Sequence, residues 1–179
     1  MKAAEYRALL SEARRPFSDL LEHCSVEQLT QKPDKDSWSS LETFQHLIQS
    51  DVYHFSDILR PLGVDEFNLI NHFGPGIESE GTRIFDTIPS PDGKKSRLEL
   101  LALQNKVYEL FFLGLEKYAT QLELSRSTLH HPVFGDLRGI SWVNFYAFHD
   151  WNHFIQAAAA AREIGVIPNY DPYGIPSKK

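Results

Sequence analysis

The stretch that decides the fold is SWVNFYAFHDWNHFIQAAAAAREI, Ser141 to Ile164. Projected at ~100° per residue, Trp142, Phe145, Tyr146, His149, His153, Gln156 and Ala160 share one face. Val143, Ala147, Trp151, Phe154 and Ala158 lie opposite. A helix that is apolar nearly all round has to be enclosed by other elements. The spacing predicts a helix over 141–164, closed by Gly165 and Pro168. His149 and His153 stand at i and i+4, one turn apart on one face. Such a pair can place two ring nitrogens on one ion without bending the backbone. Two readings stand side by side: a metal-binding pair, or two core histidines bonded to carbonyls or carboxylates.

What encloses this helix is legible in three further periodic segments. The first runs over 3–24, with Leu9, Ala13, Phe17, Leu20 and Cys24 as its stripe. Pro16 falls inside it and is expected to kink or divide it, since proline supplies no amide hydrogen. The second runs over 38–59, with Leu41, Phe44, Leu47, Ile48, Val52, Phe55 and Leu59 buried and Pro61 as its stop. Ser39 and Glu42 have capping-box spacing at its start. The third runs over 96–122, again opened by a capping-box pair, Ser96 and Glu99. Residues 25–37 read as a linker, and His130 to Leu137 as a turn region. Between Pro61 and Lys95, glycines and prolines interrupt any period. Phe67, Leu69, Ile70, Phe73, Ile77, Ile84, Phe85 and Ile88 mark this as an ordered excursion, with one short helix near 66–73 and at most a short strand pairing. The expectation is an all-α four-helix bundle with a long excursion between helices 2 and 3, one domain over 1–179.

Composition narrows the partners. Net charge is −6 with histidine neutral, and the lysines and arginines are scattered. Nucleic-acid binding needs a basic face, so no nucleic-acid partner is expected. No run reaches the ~18 apolar residues of a membrane span, and Met1 to Tyr6 lacks an apolar signal core. With one cysteine, Cys24, no intrachain disulfide can form, and a cytoplasmic location is expected. Cys24 lies on the first helix's apolar stripe and reads as a buried small hydrophobe.

Of the other histidines, His46 lies off its helix's apolar stripe, among Glu42, Gln49, Ser50 and Tyr53. Periodicity alone makes it a solvated histidine on a polar flank. A metal reading requires that flank to face a cleft. His72 sits in the excursion, where it could close over a site, although loop histidines are more often solvated. His130 and His131 read as turn-stabilising, and His23 and His54 as surface residues. Asp150 and Gln156 flank the His149–His153 pair, and either could orient a ligating imidazole. On the helical wheel Asp150 points away from His149.

Three short motifs in order carry a resemblance. Trp38-Ser39-Ser40-Leu41-Glu42-Thr43-Phe44-Gln45-His46-Leu47 resembles the second-helix signature of the DinB/YfiT-like superfamily. His149-Asp150-Trp151-Asn152-His153-Phe154-Ile155-Gln156 is similar to its fourth-helix signature, H-x-x-[HN]-H-x-x-Q. His131-Pro132-Val133-Phe134-Gly135 is similar to the H-P-x-x-G lead-in of one branch. The resemblance implies a four-helix bundle and a divalent metal held by His46, His149 and His153. Zinc or nickel fits best and iron or manganese next, since neutral imidazole suits such ions. Many relatives carry a further histidine where this chain has Asn152, a poor ligand.

Three protein nitrogens leave an open coordination position, as catalytic metals do. The resemblance implies a small-molecule substrate and transfer or isomerisation involving a low-molecular-weight thiol such as bacillithiol, mycothiol or glutathione. Metal-dependent hydrolysis is the alternative, and a non-catalytic metal- or ligand-binding stress-response module is a third reading. A homodimer is expected from the resemblance and from the commonness of symmetric pairs.

Overall fold

Two serine–glutamate pairs start two of the long helices as their spacing predicts. In the computed structural model, the Ser39 amide donates to Glu42 Oε2 at 2.9 Å and the Glu42 amide to Ser39 Oγ at 3.2 Å. Ser96 and Glu99 repeat the exchange at 2.8 and 3.3 Å. Each pair satisfies amides that the first helical turn leaves without partners. The structure describes residues 3–59, 62, 83–84, 88–124, 128–131 and 134–168.

Among the described residues the elements are α1 (Ala3–His23), α2 (Val26–Thr30), α3 (Ser40–Leu59), β1 (Arg83–Ile84), β2 (Ile88–Pro89), α4 (Arg97–Leu124), β3 (Thr128–His131), β4 (Gly135–Arg138) and α5 (Gly139–Glu163). The four long helices match the four periodic segments to within two residues at each end. The chain is a four-helix bundle. α5 is enclosed chiefly by α1 and α3, as its all-round apolar sequence demands. Phe44, Phe55, Phe111, Tyr146 and Phe154 fill the interior, each fully buried. Higher positions on α3 meet lower positions on α5, from Ser40 Oγ donating to the Ala157 carbonyl (3.0 Å) to His54 stacked on Trp142, so the two helices run antiparallel.

Three local features differ from the sequence reading. Pro16 does not divide α1. It is buried between Arg14, which is bonded to α3 and α5, and Phe17, which packs on Phe44 and Phe154. That anchoring outweighs the ~3 kcal/mol a proline costs inside a helix. The segment read as linker holds α2, opened by a capping box between Ser25 and Gln28. One turn with a single buried side chain, Leu29, is too short to show a period. The turn region after α4 is a hairpin, β3 with β4, in which His131 pairs with Gly135 at φ +70°. Strands of four residues are masked in sequence by their turn residues. In the excursion, β1 pairs with β2 as a short antiparallel ladder. The helix expected near 66–73, and His72 with it, lie outside the described residues.

Two contacts tie the end of the excursion and the start of α4 to the bundle. Gln45 donates to Asp92 Oδ1 at 2.9 Å and accepts from the Gly93 amide at 3.1 Å. Gly93 has φ +66°, and a Cβ there would stand 3.2 Å from Glu42 Oε1, so a side chain meets both strain and crowding. Arg97 donates to the carbonyls of Leu21 and Cys24, which caps the end of α1.

Phe55 stacks on Phe111 with ring centroids 3.8 Å apart and meets Tyr146 edge-on at 4.7 Å. Replacing Phe55 by Ala should cost about 3–5 kcal/mol, by lost transfer energy and the cavity left behind. Guanidinium chloride unfolding measures this, and a loss under about 1 kcal/mol would show that α3 and α4 do not meet there.

Candidate metal centre

The flank of α3 that periodicity reads as polar is not solvated. Glu42, Gln45, His46, Gln49 and Ser50 are all buried, with His46 only 3% exposed. α5 covers His46, and the segment at Asp92 and Gly93 covers Glu42 and Gln45; helical period alone does not say which flank meets a neighbour. The consequence is a meeting of three imidazoles. His46 stands 4.7 Å from His153 and 5.7 Å from His149 between ring centroids, and His149 stands 4.4 Å from His153. One ligand atom from each lies within 4.8 Å of the other two. Nitrogens sharing a tetrahedral ion sit ~3.4 Å apart, so closing the site takes ring movements of about 1.5 Å or less.

One hydrogen bond sets a tautomer. His153 Nδ1 donates to Gln156 Oε1 at 2.9 Å, which leaves the lone pair on Nε2. His46 Nε2 lies 3.3 Å from Ser50 Oγ, a contact in which either group can donate. The Nδ1 atoms of both His46 and His149 are buried without a hydrogen-bond partner among the described residues. A buried polar atom left without a partner costs ~1–3 kcal/mol, and the alternative of carbonyl-bonded core histidines would have satisfied them. A bound cation would satisfy them too, so the donor set fits a metal ion. Trp38 packs on His46 at 5.0 Å and walls one side.

Electrostatics keep the rings in the form a ligand needs. Burial, then the neighbouring His153 and His54, push His46 down to about 3. Burial and the same cluster hold His149 well below the ordinary imidazole range. Burial lowers His153 as well, against the opposing bond to Gln156. All three are neutral at pH 7.

Several other residues take definite places. Gln156 orients a ligand ring, while Asp150 does not: it turns away to Arg14. Asn152 is exposed on α5. His54 is not a surface residue. It stacks on Trp142 at 5.5 Å and lies 5.7 Å from Tyr146, because it sits two turns beyond His46 on the same covered flank. His130 bridges its hairpin to Asp136 at 2.9 Å, a structural contact, and His23 bonds the Asp19 carbonyl at the surface. Cys24 is buried, and burial raises its thiol. Arg14 escaped the sequence reading altogether: i+4 from Leu10, it lies on the buried face of α1, where an arginine gives no signal of burial.

The family profile of the DinB superfamily matches residues 9–157, which include all three histidines. No curated protein matches the chain. Among solved structures the chain is similar to TT2238, described as a four-helix bundle protein, at 20% identity and a TM-score of 0.59, over 88% of this chain and 99% of that one. That likeness is one of fold. No helix among the described residues is long and apolar enough to cross a membrane.

The depressed imidazoles have a sign in stability. Unfolded histidines protonate near ~6.5, whereas folded His46 stays neutral down to about 3. In that window the unfolded chain binds more protons, so stability falls as pH falls. A variant with His46, His149 and His153 all changed to Gln should lose less stability than the wild type between about pH 6.5 and about pH 4.5. Other titrating groups are common to both proteins and cancel. Urea melts across that range measure it, and parallel slopes would contradict the lowered proton affinity of the three rings.

Proposed function

The chain belongs to the DinB superfamily, and on that premise we propose that it is an enzyme holding one divalent metal ion through His46, His149 and His153, which transfers a low-molecular-weight thiol to a small electrophilic substrate. The observation that carries this reading is the meeting of three neutral imidazoles, one buried and two part-buried, two of them with a buried ring nitrogen that no group among the described residues satisfies. Zinc or nickel suits three neutral nitrogens, and iron or manganese is the next choice. When bound, such an ion supplies a Lewis acid that lowers the pKa of a thiol or a water molecule.

The protein's own groups do the rest. Gln156 and Ser50 fix the ring orientations of His153 and His46, and Trp38 shields His46 from solvent. Cys24, the chain's one thiol, is buried at the end of α1 and held protonated, so it does not serve as nucleophile. An exogenous thiol brings its own nucleophile: it gives its proton to solvent, its sulfur bonds to the electrophilic carbon, and the leaving group departs with the electron pair of its broken bond to that carbon and takes up a proton from solvent. The open position that three protein nitrogens leave would serve water as well as a thiol, which supports a second reading, hydrolysis.

Isothermal titration with Zn(II) or Ni(II) should give one ion per chain. His149→Ala should weaken binding by more than ~100-fold, beyond the 10–100-fold of a lost supporting contact, with the helical circular dichroism kept. Asn152→Ala should change it by less than ~3-fold, since an exposed amide with no ring contact is not an outer-shell partner. The loaded protein should then consume bacillithiol, mycothiol or glutathione against a panel of electrophiles. Ester or amide cleavage without thiol consumption would replace this reading by hydrolysis, and absence of metal uptake would end both.

A further inference from the structure

A second polar cluster lies beside the histidines, and neither metal binding nor thiol chemistry uses it. Arg14 of α1 donates from Nη1 to Asp51 Oδ2 of α3 at 2.8 Å, and more weakly from Nη2 to Asp51 Oδ1 at 3.4 Å. From Nε it donates to Asp150 Oδ2 of α5 at 2.9 Å, and from Nη2 to Asp150 Oδ1. Tyr108 of α4 donates to Asp150 Oδ2 at 3.4 Å, and its ring lies under the guanidinium at 5.0 Å. One residue from each long helix takes part, and Arg14, Asp51 and Asp150 are at most 3% exposed.

Stability does not explain this cluster. Buried ion groups pay a desolvation penalty that their attraction barely repays, and apolar residues of similar volume commonly do as well or better. What an ionic fork supplies and an apolar contact does not is direction. The two helices it joins are the two that carry the histidines. Asp150 directly follows His149, and Asp51 directly follows Ser50, the partner of His46. Sliding α3 along α5 by one residue is a shift of ~1.5 Å. The rings already have to close by up to about 1.5 Å to share an ion, so a slide of that size in the wrong sense would double the gap, and the fork adds directed bonds to the resistance that apolar packing alone gives.

We infer that Arg14 is a positioning residue for the histidine site: its fork, closed on Asp51 and Asp150, sets the register of α3 against α5 and thereby the approach of His46 to His149 and His153. This rests on reading the three histidines as a metal site, but the positioning itself can be tested without metal.

The test compares wild type, the apolar replacement Arg14→Met with Asp51→Leu and Asp150→Leu, and the single variant Arg14→Lys, which keeps the charge and loses the fork. Three readouts are taken: cooperativity of thermal unfolding, ring-to-ring nuclear Overhauser effects between His46 and His153 in metal-free protein, and Co(II) affinity with its visible absorption. The triple variant should unfold cooperatively at an equal or higher midpoint, lose the ring-to-ring effects, and bind Co(II) ~10–100-fold more weakly with an altered spectrum, the size expected for outer-shell support. Arg14→Lys should weaken Co(II) binding ~10-fold. If the triple variant does not fold, Arg14→Lys decides. Wild-type ring contacts and wild-type Co(II) affinity in a folded variant would overturn the inference. If wild type takes up no Co(II), the metal reading fails, and the metal-free ring contacts still decide the positioning.

Discussion

One guanidinium joins the bundle at its centre. Arg14 reaches from α1 to carboxylates on α3 and α5, with a phenol of α4 completing the circle. Every long helix therefore has a polar group whose partner lies on another helix, within a core built chiefly of Phe, Leu, Ile, Val and Ala. Burial alone would push the Arg14 proton off, but Asp150 and Asp51 more than reverse this and hold it above the ordinary guanidinium range. Burial in turn raises both carboxylates, against the pull of Arg14, and takes Asp51 to about 7. Two acids share one base, so the second carboxylate's charge is only partly compensated. Removing the base alone would leave both acids buried without a counter-charge, a loss of about 3–5 kcal/mol.

Around this centre the two polar layers of the α3–α5 seam divide the work. One flank of α3 carries Asp51 toward α1, and the other carries His46, Ser50 and His54 toward α5. The two helices run antiparallel, so His46 meets His149 and His153 at mid-seam, while His54 meets Trp142 and Tyr146 nearer the start of α5. The site is thus held by long, rigid elements rather than loops, which favours fixed ligand geometry.

The fold was largely legible because its signals are local and repeated. Capping boxes at Ser39 and Ser96, the apolar period of α3 and the all-round apolar α5 each point to the same bundle. Short elements were not, because one helical turn such as α2 or a four-residue strand such as β3 holds no full period. At the site, the i,i+4 pair on α5 was visible from spacing alone, while His46 was not. Its own helix reads as polar on that flank, and only the family motif pointed to it. Burial of His46 and of Arg14, and the partial covering of His54, are decided by which neighbour covers the flank, a tertiary fact that a single helix's sequence does not contain.

The claim on which the functional account rests is that these three rings hold one ion and leave it accessible. X-ray absorption fine structure at the zinc edge of the zinc-loaded protein reads this directly. The account predicts a first shell with three imidazole nitrogens at ~2.0–2.1 Å, with their outer-ring scattering, and one oxygen or added-thiol sulfur donor completing four. A shell dominated by oxygen with no imidazole scattering, or one unchanged when His46 is replaced by Ala, would contradict it.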